Sequence, residues 1–161
     1  MKKYLDGLAI LLATAWVGGI WMTGYIAAPV LFQALPDKML AGMLAGKMFA
    51  SIAWLGMIAA AYLMLHALLA GGRQVVSTTQ FRLLAVMLLL VVAGHFGIQP
   101  VLAELKAQVL PVYVMDSVNA ASFRVWHGAA SMLYLLLSLL GGIFVLKQNM
   151  PLGMSTNKPH E

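Results

Sequence analysis

Long apolar stretches without a single charged residue dominate the chain. They cover residues 7–36, 48–72, 83–103 and 125–146. Each is longer than the ~20 predominantly apolar residues that a transmembrane α-helix needs. The pattern therefore predicts an all-α fold, an integral membrane bundle of four transmembrane helices.

The polar positions between these stretches set the predicted boundaries. The four helices are predicted at about residues 5–33, 48–70, 81–103 and 123–147. Residues 35–48 have apolar positions at helical spacing, which favours a short interfacial helix after the first transmembrane helix. Residues 104–122 form a longer connection. We expect residues 1–150 to form a single membrane domain, and residues 151–161, polar and with two prolines, to form a disordered cytoplasmic tail.

The composition agrees with a membrane protein. Hydrophobic residues make up 62% of the 161 residues and charged residues 9%, whereas a soluble domain is about 25% charged. A small protein leaves much of its surface exposed, so the surplus apolar surface must face lipid. The first apolar stretch exceeds the signal-peptide core of about 7–15 residues, and we therefore expect an uncleaved first helix.

Basic residues outnumber acidic ones, with a formal net charge of +5. They are scattered over the chain ends and connections, which favours contact with lipid headgroups and excludes a nucleic-acid partner. One side of the membrane receives Lys2, Lys3, Arg73, Arg82, Lys147 and Lys158. The other receives Lys38, Lys47, Lys106 and Arg124. This bias favours both termini in the cytoplasm.

A polar stripe follows the fourth helix. Arg124, His127, Ser131, Tyr134 and Ser138 are spaced by three or four residues and share one helical face. Small and hydroxyl residues are ordinary packing material between membrane helices, which accounts for the later part of the stripe. Packing does not account for Arg124 and His127, because polar groups in a membrane are costly and mark functional sites.

The third and first helices add polar groups at the same predicted level. His95 and Gln99 lie four residues apart on one face, and each of the two helices carries a late proline, Pro29 or Pro100. A proline removes a backbone donor and tends to kink its helix, which frees a carbonyl four residues earlier. In the first helix that carbonyl belongs to Tyr25.

These groups form the predicted ligand-binding site, which is Arg124, His127, His95, Gln99 and Tyr25. In the alternative interpretation the kinks only shape the bundle and Arg124 extends to the headgroups. His66 falls near the opposite end of the bundle, where we expect an interfacial or packing role.

Two cofactors suit His95 and His127. A copper ion would add thioether ligands from some of the 12 methionines, and haem b would use the two histidines as axial ligands. The chain contains no cysteine, so thiolate metal sites and cysteine nucleophiles are excluded. The sequence motifs GxSxG, HExxH, GxGxxG and the P-loop are also missing, which argues against an enzyme of those classes.

Two segments carry a resemblance to a known family. They are WVGGIWMTGYIAAPVLFQALPDKMLAG and FRVWHGAASMLYLLLSLLG. Both resemble a bacterial domain-of-unknown-function family, whose eukaryotic relatives include transmembrane protein 205, associated with cisplatin resistance. The chain is more distantly similar to the copper-resistance D-type membrane domain. The resemblance spans roughly residues 5–147 and implies a four-helix inner-membrane protein without an assigned reaction. Metal handling follows from it by distant analogy alone.

The main hypothesis is therefore an integral membrane protein that binds a small ligand or metal ion at an outward-facing polar site. One alternative is a b-type haem-binding membrane protein. Another is a structural or assembly partner of a larger membrane complex. Four helices rarely enclose a wide pore, so transport would require a homo-oligomer.

Overall fold

Four long helices make up the computed structural model, which describes residues 2–149. Helix one consists of Lys2–Trp21, a π-helical turn at Met22–Ala27, and Ala28–Ala34. Helix two is Lys38–Gly71, continued by the 3₁₀ turn Gly72–Ser77. Helix three consists of Thr79–Val92, a π-helical turn at Ala93–Ile98, and Gln99–Ala107. Helix four is Ala120–Asn149, and a 3₁₀ turn at Val114–Asp116 lies in the connection before it.

The four helices form one antiparallel bundle. Helix one packs against helices two and four, and helix three packs against the same two. All four are long and apolar enough to cross a membrane. Strands are absent from residues 2–149. The predicted all-α membrane bundle is thus confirmed, while the predicted tail at residues 151–161 lies outside the described residues.

The prediction of a separate interfacial helix was wrong. Residues 38–48 are helical, but they are the first three turns of helix two, which runs unbroken for 34 residues. No proline interrupts this helix. Its length is about 51 Å at the α-helical rise of about 1.5 Å per residue. Because a hydrocarbon core is about 30 Å thick, helix two must tilt or extend into the headgroup region.

Two consecutive residues cap both helices at the turn between helices one and two. The Asp37 carboxylate accepts hydrogen bonds from the backbone N–H groups of Met39 (2.8 Å) and Leu40 (3.1 Å), at the start of helix two. The Lys38 ammonium donates to the carbonyls of Phe32 (2.6 Å) and Leu35 (3.1 Å), at the end of helix one. Each end has the charge that suits the helix dipole.

Helices one and three share an unusual backbone geometry just before their prolines. In each, a six-residue π-helical turn precedes Pro29 or Pro100. The N–H of Ala28 bonds the carbonyl of Thr23, and the N–H of Gln99 bonds the carbonyl of Gly94, five residues back in each case. A proline cannot donate to the carbonyl four residues before it, and the wider turn accommodates that loss.

The half of the bundle nearer the termini is closely packed. Trp16, Ile20 and Met87 are the largest fully buried side chains of the described residues. Gly56 of helix two lies directly against the Trp16 indole, where a Cβ atom would overlap the ring. This glycine therefore sets how closely helices one and two approach.

We expect Gly56→Ala to destabilise the bundle by about 1–3 kcal/mol, because the added methyl group displaces a rigid, buried indole. Thermal unfolding of the detergent-solubilised protein measures the effect. Gly7→Ala is the control, since a Cβ at Gly7 meets nothing within 4 Å. Equal melting temperatures for the two variants would contradict the assigned role of Gly56.

Candidate functional site

A cavity opens between the helices in the other half of the bundle. Its volume is about 660 Å³, and all four helices and the connection before helix four contribute to its wall. The two π-helical turns supply Gly24, Tyr25, Gly94 and His95 to this wall. Cavities of about 300–1,000 Å³ are typical of small-molecule sites, so the space is large enough for a ligand.

Four of the five predicted site residues line this one cavity. They are Tyr25, His95, Gln99 and His127. The sequence pattern therefore identified groups from three helices that come together. Their role in ligand binding stays a prediction.

The placement of Arg124 in the cavity wall was wrong. Arg124 is exposed and does not line the cavity, whereas Phe123 and His127 of the same helix do. Residues four apart share a helical face, and Arg124 is rotated about 100° from Phe123. Its guanidinium makes no hydrogen bond or ion pair with any part of the chain that the structure describes.

His95 is a partly buried polar residue of the cavity wall. Its imidazole makes edge contacts with Trp54 (5.4 Å between ring centroids) and Phe96 (4.8 Å). Nδ1 of His95 is buried and has no hydrogen-bond partner among residues 3–147. An unsatisfied buried nitrogen costs free energy, so the His95 imidazole has a hydrogen-bonding capacity that the described residues do not meet.

His127 belongs to a short series of stacked groups. Its ring is parallel to that of Phe123 (5.5 Å between centroids, 12° between planes). The Lys106 ammonium lies 5.6 Å from the Phe123 centroid, in cation–π range. The Ser131 hydroxyl donates to the backbone carbonyl of His127 at 2.8 Å and not to its imidazole. These contacts fix the side chains without engaging the His127 imidazole in a hydrogen bond.

Sequence reasoning missed two lysines of the cavity wall, Lys38 and Lys106. The signal for Lys106 was available, because His95, Gln99, Leu102 and Lys106 continue one helical stripe with spacings of four, three and four. Helix three was predicted to end near residue 103, which assigned Lys106 to the connection. In the structure the helix continues to Ala107.

The connection between helices three and four covers the cavity. Tyr113, Val114 and Met115 line it from this segment. The Asn119 amide holds the connection to helix three, donating to the Leu105 carbonyl (3.1 Å) and to the Gln108 side chain (3.0 Å). The cover is thus tied to the helix that carries His95 and Lys106.

The cavity offers few ligands for a metal ion. Within the described residues, no three or more His, Cys, Asp or Glu side chains come together at a metal-binding distance. His95 and His127 could supply imidazole nitrogens, and Met39 and Met115 also line the cavity with thioether sulfurs. Such a donor set suits Cu(I) chemically, but it lacks any carboxylate or thiolate.

His66 lies apart from this site, at the other end of the bundle. Its Nε2 is 3.0 Å from the Asp6 carboxylate, and its ring stacks on Tyr62 (6.0 Å, 18°). The Tyr62 hydroxyl donates to the Leu5 carbonyl at 3.1 Å. His66 thus joins the ends of helices one and two, which agrees with the expected packing role.

Comparisons with known proteins give one match. A family model described as "Domain of unknown function (DUF4149)" matches residues 11–111, which is more than half of the chain. No curated protein and no solved structure matches the chain. The match confirms the predicted membership of a family of unknown function, while the relationships to transmembrane protein 205 and to the copper-resistance domain stay predictions. Tyr25, His95 and Gln99 fall within the matched residues, and the chain belongs to the DUF4149 family.

Proposed function

We propose that this protein binds a small molecule in the cavity between its helices, within the bacterial inner membrane. The observation that carries the proposal is the cavity itself, about 660 Å³ in volume and lined by Tyr25, His95, Gln99 and His127. Its wall is mostly apolar with a few polar groups, the usual character of a ligand site.

Binding fits the cavity better than catalysis does. A nucleophile needs a base within hydrogen-bond reach. Ser131 donates to a backbone carbonyl, and Tyr134 donates to the Ile20 carbonyl at 2.6 Å. Neither hydroxyl is bonded to a histidine, and no carboxylate lines the cavity among the described residues. The polar groups are therefore suited to orienting a bound molecule.

The distribution of Lys and Arg supports an outward-facing cavity. The cavity lies at the end of the bundle that holds the turn after helix one and the connection before helix four. Both segments fall on the side with fewer basic residues. With both termini in the cytoplasm, the ligand would enter from the periplasmic face or from the outer leaflet.

A metal-centred ligand is the second candidate. His95 on helix three and His127 on helix four line the same cavity, as axial ligands of haem b or ligands of a copper ion would. The two lysines of the wall could neutralise the carboxylates of a haem.

Filling the cavity should abolish binding. Gly46 lines the cavity, and a Cβ there meets nothing within 4 Å, so Gly46→Phe places its ring in open space. We expect the occupancy of the cavity by co-purifying molecules to fall about tenfold or more. This corresponds to a loss of at least about 1.4 kcal/mol of binding free energy. Solvent extraction and mass spectrometry, normalised to protein, measure this occupancy.

Gly128→Phe is the matched control for that experiment. Gly128 also has nothing within 4 Å of a Cβ, but it lies on the exposed side of helix four. This variant should keep the wild-type occupancy. Equal occupancy in the Gly46→Phe variant and the wild type would rule out the cavity as the binding site.

The orientation is testable because the native chain contains no cysteine. In intact cells, a membrane-impermeant maleimide should label a Val118→Cys variant, since Val118 is exposed in the connection before helix four. It should not label Val76→Cys in the turn after helix two. The reverse labelling pattern would place the cavity on the cytoplasmic side.

The metal-centred candidate predicts a haem Soret band or stoichiometric copper in the purified protein. Either signal should be lost in His95→Ala and His127→Ala and kept in His66→Ala, because His66 lies at the other end of the bundle. Absorbance spectroscopy detects the Soret band, and elemental analysis of the same preparation measures the copper content. A colourless, metal-free preparation from haem- and copper-replete cells eliminates this candidate.

A further inference from the structure

We propose that the ligand is a single-chain amphiphile with an anionic head group, a carboxylate or a phosphate. The head group lies beside Lys106 and Lys38 at the outer end of the cavity, and the chain extends along the helices towards Trp16. This inference rests on the proposed function and specifies the class of molecule that the cavity takes.

The charges of the cavity wall have one sign. Lys38 and Lys106 line it, and no Asp or Glu does among the described residues. The half-buried Lys106 ammonium makes no ion pair and donates no hydrogen bond within residues 3–147. Its neighbour is the Phe123 ring, 5.6 Å away. A partly buried ammonium without a counterion is costly, so an anion in the cavity would be stabilised there.

Lys38 adds to the positive charge at the same end. Its ammonium already bonds the carbonyls of Phe32 and Leu35, which fixes its position. Those carbonyls carry only the partial negative charge of a helix end, so Lys38 keeps part of its positive charge. Lys38 begins helix two and Lys106 lies in the last turn of helix three, which brings both cations to the outer end of the bundle.

The cavity is long in the direction of the helices. Its wall on helix two runs from Lys38 to Ala53, and its wall on helix three runs from Leu90 to Lys106. These stretches are about 23 and 24 Å long at the α-helical rise of about 1.5 Å per residue. An elongated space of this volume suits one extended chain better than the two chains of a bilayer phospholipid.

Polarity falls along this length. Both lysines lie at the outer end, and His95 and Gln99 lie between that end and the middle of the bundle. The inner end is lined by Trp16, Ile52, Ala53, Leu90, Val91 and Leu137. A ligand that matches this gradient has a charged end and an apolar end, which defines an amphiphile.

Palmitate, hexadecanol and hexadecyltrimethylammonium test the inference because they share a chain and differ in head-group charge. The delipidated protein in neutral maltoside micelles is equilibrated with each probe, and native mass spectrometry measures the bound fraction. We expect palmitate to bind about tenfold or more better than the other two, as a charge-assisted hydrogen bond to Lys106 implies.

Three variants separate the contribution of the head group to binding from that of the rest of the cavity. Lys106→Met should lower palmitate binding about tenfold and leave hexadecanol binding unchanged, and Lys106→Arg should retain palmitate binding. Lys47→Met is the control, since Lys47 is an exposed lysine of helix two outside the cavity wall. Variants are compared at equal total probe concentration, so partitioning into micelles affects all of them alike.

The outcomes distinguish the two proposals. If palmitate and hexadecanol bind equally, or if Lys106→Met lowers both alike, the anionic head group is wrong while binding in the cavity stands. If Gly46→Phe leaves the binding of every probe unchanged, the proposed function itself fails. A further probe, palmitoyl lysophosphatidic acid, identifies the source of the anion. Tighter binding than palmitate points to a lipid phosphate, and weaker binding points to a free fatty acid.

Discussion

In the hydrocarbon core of a membrane no water is present to satisfy a backbone N–H or C=O group, so each must find a partner within the protein. This constraint accounts for the four unbroken helices. It also makes Pro29 and Pro100 consequential, because each deprives a carbonyl of its usual donor. Both helices respond with a π-helical turn whose bonds reach back five residues. The same turns contain Tyr25 and His95, which line the cavity. The backbone geometry that accommodates the prolines therefore also positions two residues of the candidate site.

The helices pack closely in one half of the bundle and surround a cavity in the other half. Near the termini, Trp16 fits against Gly56 and the helices meet closely. Towards the other end, helix two provides small residues on the cavity side, Gly42, Ala45 and Gly46. Small residues usually let membrane helices approach one another. In this half the small residues of helix two line the cavity and leave room within it.

Much of the fold could be predicted from charge spacing, because a charge inside a lipid-facing helix is costly enough to mark its ends. Helical periodicity also grouped His95 with Gln99 correctly. Periodicity gives relative positions on one helix and not the rotation of that helix against its neighbours, so Arg124 was assigned to the cavity together with His127. The interfacial helix was a different error. The polar positions were taken to bound the second transmembrane helix, whereas helix two begins at Lys38 and contains Lys47. Lys106 was missed because the predicted end of helix three came before it.

The two ends of the bundle also differ in the partners of their ionisable side chains. At the end that holds the termini, His66 lies 3.0 Å from the Asp6 carboxylate, so this pair is satisfied within the chain. At the other end, His95, His127 and Lys106 line the cavity, and no carboxylate is among its described lining residues. If these three side chains only shaped the bundle, we would expect partners for them within the chain, as Asp6 is for His66, because a polar group in a membrane is retained at a cost. A molecule from outside the chain would supply such a partner, and this contrast supports the proposal of ligand binding in the cavity.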